Sequence, residues 1–233
     1  IGGLMLDLIV FAHGSYVLSA GLRTPSGTLI LAKDLPSKNE NDLADGIAAI
    51  ICDVGYCYGQ RVSSLHIDGE RAFNSSTWER RGLKVTLSLP SHHQTSGFIE
   101  NINLQLVDMA RRSLVSVRDV VTRAQLWSHA IIYSAYKLSH KTAVKLQCRM
   151  QEELPPFLQL GIAVKPVEKT DRITNRGRVA AFLYPSSRYS RAIHVLVMQQ
   201  QHVTEITARV HVTGDLAVRT FRPITDTNAR PRF

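Results

Sequence analysis

The chain has 233 residues, 44% of them hydrophobic and 20% charged, which is typical of a globular protein and excludes an intrinsically disordered one. No stretch reaches the roughly 18 uninterrupted apolar residues that a membrane-spanning helix needs, so no membrane association is expected. The formal net charge of +9 is concentrated in the C-terminal part. Residues 1–140 carry 13 Lys and Arg against 12 Asp and Glu, whereas residues 141–233 carry 15 against 7. This basic excess indicates a polyanionic partner for the C-terminal part.

The N-terminal segment predicts three strands with short connections. Residues 4–12 form an almost wholly apolar run, and residues 15–23 predict a second strand. Residues 24–27, Thr-Pro-Ser-Gly, are typical of a turn with proline at its second position, and residues 28–33 predict a third strand. Strands joined so closely favour an antiparallel meander.

A helical pattern follows the meander. Apolar residues recur at helical spacing over residues 41–58, and Asn39 or Asn41 can cap this helix. The next predicted elements are a fourth strand that ends at Asp68, a short helix at residues 78–81 and a fifth strand at residues 83–89.

Two long helices complete the N-terminal part. Residues 90–97 are polar and predict a mobile loop. Residues 98–115 carry an apolar stripe opposite a polar face, and residues 119–138 predict a second helix that Asp119 caps. The order of elements over residues 1–140 predicts an α/β fold, a ribonuclease-H-like mixed sheet flanked by helices.

The pattern changes after residue 140. Two consecutive prolines, Pro155 and Pro156, indicate a linker over residues 141–159. From residue 160 onward the segments are short and β-like, which predicts a small basic all-β barrel over residues 160–215. Residues 216–233 predict an extended or disordered tail.

Three acidic residues suggest a metal site. Asp7 interrupts the first apolar strand, where an ionised carboxylate needs a salt bridge, a proton or a metal ion. Strands one and four are neighbours in a ribonuclease-H-like sheet, so Asp68 would lie beside Asp7, and the two charges repel unless a cation lies between them. Glu100, in the first turn of the helix at residues 98–115, would complete an oxygen-only site suited to two Mg²⁺ or Mn²⁺ ions. Asp68 also fits a structural role as a turn cap and Glu100 one as a helix N-terminal charge, whereas Asp7 is the least easily explained in this way.

Motifs in two regions of the chain carry a family resemblance. Between Leu65 and Leu114 they read DGERAFNSS from residue 68, PSHHQTSGFIEN from residue 90 and QLVDMARRSL from residue 105. They resemble motifs of the integrase of copia-type (pseudovirid) LTR retrotransposons. Further on, GRVAAFLYPSSRYSRAIHVLVM from residue 177 resembles a strand pair of the small C-terminal barrel of that family.

The resemblance implies a function and a set of site residues. Asp7, Asp68 and Glu100 would be the catalytic and metal-binding acids of an enzyme that processes DNA 3′ ends and joins them to target DNA. Gln94 and Gly97 would belong to a loop that touches DNA. The arginines that would contact nucleic acid in the C-terminal part are Arg176, Arg178, Arg188 and Arg191.

The resemblance also implies partners and a location. The expected partners are the DNA of the element ends, the target DNA and further copies of the chain in a homo-oligomer. The expected location is the nucleus, or a cytoplasmic particle before nuclear entry.

Several positions depart from the family pattern. Thirty-one residues separate Asp68 from Glu100, fewer than is usual in the family by about one helical turn, and the shortfall falls near residues 74–80. The family's N-terminal His/Cys zinc region has no counterpart in the chain. The family's Asn, Tyr, Pro and Arg are replaced by Gly69, Ser91, His93 and Asn101.

Two other functions therefore stay open. One is a domesticated or decayed integrase-like protein without catalysis, acting as a module that binds nucleic acid or protein. The other is a host-type ribonuclease H or junction nuclease, which would share the fold and the metals.

The cysteines and the first residue add two expectations. Cys52, Cys57 and Cys148 form no CxxC pair, which argues against a disulfide framework and a four-ligand zinc site. Reduced thiols in an intracellular protein are the expectation. The chain opens on Ile1 rather than Met, which favours a fragment or a processed piece of a longer protein.

Overall fold

The computed structural model of the chain describes residues 2–12, 14–68, 73, 75–88, 93–148, 154–164, 177–187, 193–199, 202–204 and 221–223. The chain divides into two compact units, Ile1–Glu153 and Leu154–Phe233. The elements of the first unit are β1 (Gly3–Val10), β2 (Tyr16–Thr24), β3 (Gly27–Leu35), α1 (Glu40–Tyr58), β4 (Ser64–Asp68), α2 (Ser75–Glu79), β5 (Lys84–Ser88), α3 (His93–Ser113) and α4 (Val120–Lys145).

The five strands of the first unit form one mixed sheet in the order β3-β2-β1-β4-β5. The strands β1, β2 and β3 pair antiparallel, whereas β4 pairs parallel with both β1 and β5. The predicted meander and the predicted adjacency of strands one and four are confirmed. The strand order and the flanking helices are those expected of a ribonuclease-H-like sheet.

One face of the sheet packs on α1. Alternate residues of the two central parallel strands, among them Leu6 of β1 and Ile67 of β4, share a buried apolar cluster with Ile47 of α1. The helix begins after Asn39, whose side chain accepts a hydrogen bond from the Asp42 backbone N–H at 2.8 Å. Asn39 is thus the N-cap, one of the two candidates in the sequence.

The other face of the sheet packs on α3, which lies close to β2 at Gly21. A Cβ atom at Gly21 would lie 2.4 Å from Ile102 Cδ1 and 2.7 Å from Phe98 Cε1. Only a residue without a side chain leaves room for the helix at this distance. The guanidinium of Arg23, two residues further along β2, lies 4.3 Å from the centroid of the Phe98 ring and holds the N-terminal half of α3 by a cation–π contact.

The start of α3 corrects the sequence prediction. Residues 90–97 were expected to form a loop, but α3 begins at His93, so Gln94 and Gly97 lie in its first turns. Residues 93–97 are polar or glycine, so they add nothing to the apolar stripe from which the helix was predicted. Extending a helix costs much less than nucleating it, so the packed turns from Phe98 onward support the additional turn.

The last helix of the first unit covers an edge of the sheet. The strand β3 is outermost, and the Ser139 hydroxyl of α4 both accepts from the Ile30 N–H at 2.6 Å and donates to the Ile30 carbonyl at 2.7 Å. The predicted N-cap, Asp119, is confirmed, but α4 continues to Lys145 instead of ending at residue 138. Its last turns pack small polar residues on the strand edge, a contact that leaves no apolar signal in the sequence.

The second unit is built from short strands. They form a sheet in the order β10-β6-β7-β8-β9, and the pairs are antiparallel. Closure into a barrel and the domain limits stay predictions, and β10 lies in the segment predicted as an extended or disordered tail. The strands are β6 (Leu160–Val164), β7 (Gly177–Pro185), β8 (Ile193–Gln199), β9 (His202–Thr204) and β10 (Phe221–Pro223).

None of the described helices, in either unit, has the length and apolar character that crossing a membrane requires.

Candidate active site

Two of the predicted acids occupy neighbouring positions in the sheet. In the parallel pair of β1 and β4, Leu6 is the partner of Ile67. Asp7 and Asp68 are the next residues of these two strands, and adjacent strands lie about 4.8 Å apart. Because successive residues of a strand alternate between faces, both positions belong to the face opposite to the α1 cluster. The side chain of Asp68 lies outside the described part of the structure.

Hydrogen bonds accommodate the half-buried carboxylate of Asp7. Its Oδ1 accepts from the backbone N–H of Leu8 at 2.7 Å, and its Oδ2 accepts from Asn103 Nδ2 at 2.7 Å. Charge-assisted hydrogen bonds of this length stabilise an ionised carboxylate. The sequence predicts a salt bridge, a proton or a metal ion for Asp7, and the structure adds two neutral donors to these possibilities.

Asn103 is a site residue that the sequence analysis missed. It lies on α3 and is separated from Asp7 by 96 positions along the chain. Its Nδ2 faces Asp7, whereas its Oδ1 is buried and has no hydrogen-bond partner among the described residues. A signal was available, since Asn103 follows Glu100 by three positions and residues so spaced share a helix face.

Glu100 lies one helical turn before Asn103 and is exposed. Both line an open groove of about 720 Å³ along α3. Glu100 therefore shares this groove with Asn103, the residue of α3 that contacts Asp7. The described residues that line the groove are Glu100, Asn103, Leu104, Gln105, Val107, Asp108 and Arg111.

The fit of a metal ion can be judged from the donor types. Within the described residues, no group of three or more His, Cys, Asp and Glu side chains could hold a metal ion, and the Asp68 side chain does not belong to that set. The described side-chain oxygen atoms there include the two carboxylate oxygens of Asp7 and the buried Asn103 Oδ1, which has no partner in the described structure. Such hard donors fit Mg²⁺ or Mn²⁺ and fit softer ions poorly.

The other predicted site residues are placed less fully. Gln94 and Gly97 belong to α3, and Gly97 is exposed. The backbone of Arg178 belongs to β7, where it pairs with Ala163, and its side chain lies outside the described part. The predicted nucleic-acid contacts Arg176, Arg188 and Arg191 lie outside the described residues.

Comparison with solved structures finds similar chains, among them an integrase core. The catalytic core domain of BIV integrase, in a crystal structure, is 18% identical in sequence, with a TM-score of 0.45 over 59% of this chain and 83% of that chain. No protein-family model matches the chain, and no curated protein matches it. The fold assignment therefore depends on the strand order and register of the first unit.

Proposed function

We propose that the chain is the catalytic core and C-terminal part of a copia-type integrase, which cuts and joins DNA with divalent metal ions. The observation that carries the proposal is the position of Asp7 and Asp68, next to the paired Leu6 and Ile67 of neighbouring parallel strands. The helix α3, which carries Glu100, contacts Asp7 on the same face through Asn103. The motifs around Asp68 and Glu100 resemble those of copia-type integrases, which favours the cutting and joining of DNA as the reaction at this site.

The proposed reaction consists of two in-line displacements at phosphorus. Water first attacks a phosphodiester near the DNA end, and its oxygen bonds to phosphorus as the 3′ oxygen leaves and takes up a proton. The freed 3′ hydroxyl then attacks a phosphodiester of the target DNA and displaces a second 3′ oxygen, so no external energy source is needed. When bound, a pair of divalent ions supplies charge neutralisation for both steps.

The residues of the chain have distinct parts in this proposal. Asp7 and Asp68 would hold the cations at the sheet, and Glu100 would complete the set from the edge of the groove. Hydrogen bonds from Leu8 and Asn103 keep the Asp7 carboxylate oriented before the substrate arrives, which reduces the reorganisation needed during the reaction. The groove along α3 offers a path for DNA, and a homo-oligomer in the nucleus follows from the same proposal.

Conservative removal of each charge tests the proposal. Asp7→Asn, Asp68→Asn and Glu100→Gln should each reduce Mg²⁺- or Mn²⁺-dependent strand transfer on oligonucleotide DNA by about 100-fold or more. Asp45→Asn, at an exposed acid on α1, is the matched control and should keep full activity. Full strand transfer by the Asp68→Asn protein would refute the catalytic proposal.

A second candidate is the inactive integrase-like binding module, favoured by the departures at Gly69, Ser91, His93 and Asn101. Calorimetric titration with Mn²⁺ separates the two, because only an intact site gives a binding heat that Asp7→Asn abolishes. Specific cleavage of an RNA–DNA hybrid without strand transfer would instead favour a ribonuclease H.

The proposed DNA contacts of the second unit can be measured by salt dependence. Phosphate contacts release counterions, so the logarithm of the binding constant should fall with the logarithm of salt by about 0.9 for each contact. Replacing Arg188 and Arg191 together by Ala should make that slope shallower by about 2. An unchanged slope would remove these two arginines from the interface.

A further inference from the structure

One side chain links the helix that carries Glu100 to the strand that carries Asp7. Asn103 Nδ2 donates to Asp7 Oδ2 at 2.7 Å, and Asn103 Oδ1 is buried without a hydrogen-bond partner in the described part of the chain. We infer that Asn103 is a positioning residue: its Nδ2 fixes the Asp7 carboxylate, and its Oδ1 accepts a hydrogen bond from a water molecule held at the site. The inference rests on the proposed function for the identity of the site.

The chemistry of the two groups determines how the amide is oriented. An ionised carboxylate only accepts hydrogen bonds, so the amide must turn its NH₂ group towards Asp7. The amide is planar, and Oδ1 is therefore held in a fixed direction beside the carboxylate. A buried carbonyl without a donor is unfavourable, and a hydrated cation at the site supplies O–H donors, because Mg²⁺ usually keeps several of its water molecules in protein sites.

The geometry also explains why the carboxylate needs such a partner. The Asp7 side chain is half-buried, and its Oδ1 is already oriented by the backbone N–H of Leu8. The bond to Asn103 fixes the second oxygen and so defines the plane of the carboxylate relative to the neighbouring position of Asp68. Without it, the carboxylate can rotate about its last side-chain bond, a torsion with a broad energy minimum.

A double-mutant cycle in the metal-free protein tests the positioning role. The full chain with Asn103→Ala, with Asp7→Ala and with both changes is unfolded by urea without divalent ions. Asn103→Ala should lower the folding equilibrium constant about tenfold when Asp7 is present, and about twofold or less when Asp7 is already Ala. Equal effects in the two backgrounds would overturn the inference, whatever the protein does to DNA. Asn41→Ala, at an exposed amide of α1, is the control and should show no coupling to Asp7.

Metal binding provides the second readout. The Mn²⁺ dissociation constant, measured by calorimetry, should rise about 10- to 100-fold in the Asn103→Ala protein and stay within about twofold in the Asn41→Ala protein. Asn103→Leu keeps the branched arrangement of four side-chain heavy atoms without the amide and gives the same test if the Ala variant does not fold. Unchanged Mn²⁺ affinity in a folded Asn103 variant would overturn the role at the site.

The two failures are distinguishable. If Asp7→Asn leaves metal-dependent strand transfer intact, the proposed function is wrong, but the coupling of Asn103 to Asp7 in the metal-free protein is still measurable.

Discussion

Gly21→Ala is expected to separate α3 from the sheet and thereby damage a site that Gly21 does not touch. The added Cβ would lie 2.4 Å from Ile102 Cδ1 and 2.7 Å from Phe98 Cε1. Carbon atoms in contact lie at about 3.5–4.0 Å, so the Ile102 and Phe98 side chains, or α3 with them, have to move by about 1 Å. We expect part of this movement to be taken up by the helix, because Ile102 is buried and has little free space around it.

The consequence at the site can be estimated from one distance. Asn103 follows Ile102 on α3, and its bond to Asp7 is 2.7 Å long. A displacement of about 1 Å would stretch this bond beyond the range of a hydrogen bond. We expect the free energy of unfolding to fall by about 1–3 kcal/mol from overpacking, and strand transfer to fall by about 100-fold from misplacement of the helix.

The assay needs a variant that is destabilised equally but far from the site. Gly46→Ala on α1 provides it, because a Cβ there would lie 2.5 Å from Leu35 Cδ2 on the opposite face of the sheet. Both variants should lose similar stability in urea unfolding, but only Gly21→Ala should weaken Mn²⁺ binding. Adding Ile102→Val to Gly21→Ala removes the clashing Cδ1 and should restore part of the affinity. Equal Mn²⁺ affinities in the two single variants would refute the reasoning.

The remaining predictions concern α4. Ser139→Ala removes the partner of the buried N–H and carbonyl of Ile30 and should lower the free energy of unfolding by about 2 kcal/mol or more. The control is Ser134→Ala, at an equally buried serine that loses only a bond to a carbonyl of its own helix. It should lower the free energy of unfolding, measured in urea, by about 1 kcal/mol or less. A larger loss for Ser134→Ala would contradict the edge-covering role of Ser139. Hydrogen bonds donated by Thr122 hold the pKa of Asp119 below its ordinary value of 3.8. The ionised Asp119 carboxylate should therefore stabilise the folded protein above about pH 4, and this stabilisation should disappear as the pH falls through the lowered pKa. The difference in free energy of unfolding between the wild type and Asp119→Ala, measured from pH 7 downward, should therefore shrink in acid. A difference that grew in acid would contradict the lowered pKa of Asp119.

Local signals in the sequence were sufficient for most of the first unit. Short apolar runs and tight turns predicted the meander. The caps Asn39 and Asp119 were found because short polar side chains before an apolar periodic run have a specific role at helix starts. The adjacency of β1 and β4, confirmed by the register of Leu6 and Ile67, followed from the order of elements. These features depend on short stretches of chain or on topology.

Features that depend on contacts between residues far apart along the chain could not be predicted in the same way. The bond between Asn103 and Asp7 joins positions 96 apart, and the bonds between Ser139 and Ile30 join positions 109 apart. In both cases a polar side chain satisfies a specific group elsewhere, and apolar periodicity does not mark such a residue; only the three-residue spacing of Asn103 from Glu100 offered a hint for the first. The start of α3 at His93 was missed for a related reason, since its first turn contributes little to the apolar pattern.

The three proposed acids differ in how firmly the fold fixes them. Asp7 and Asp68 depend on strand register, and a slip by one residue would move Leu6 and Ile67 out of the core, so this pair tolerates little change. Glu100 depends on how α3 lies over the sheet, which is set by Gly21 and its neighbours. The shortening between Asp68 and Glu100 relative to the integrase family falls near α2, a helix of five residues, and not in the paired strands. A deletion there changes a connection and leaves the register of β4 with β1 and β5 intact, so the short spacing is compatible with a working site.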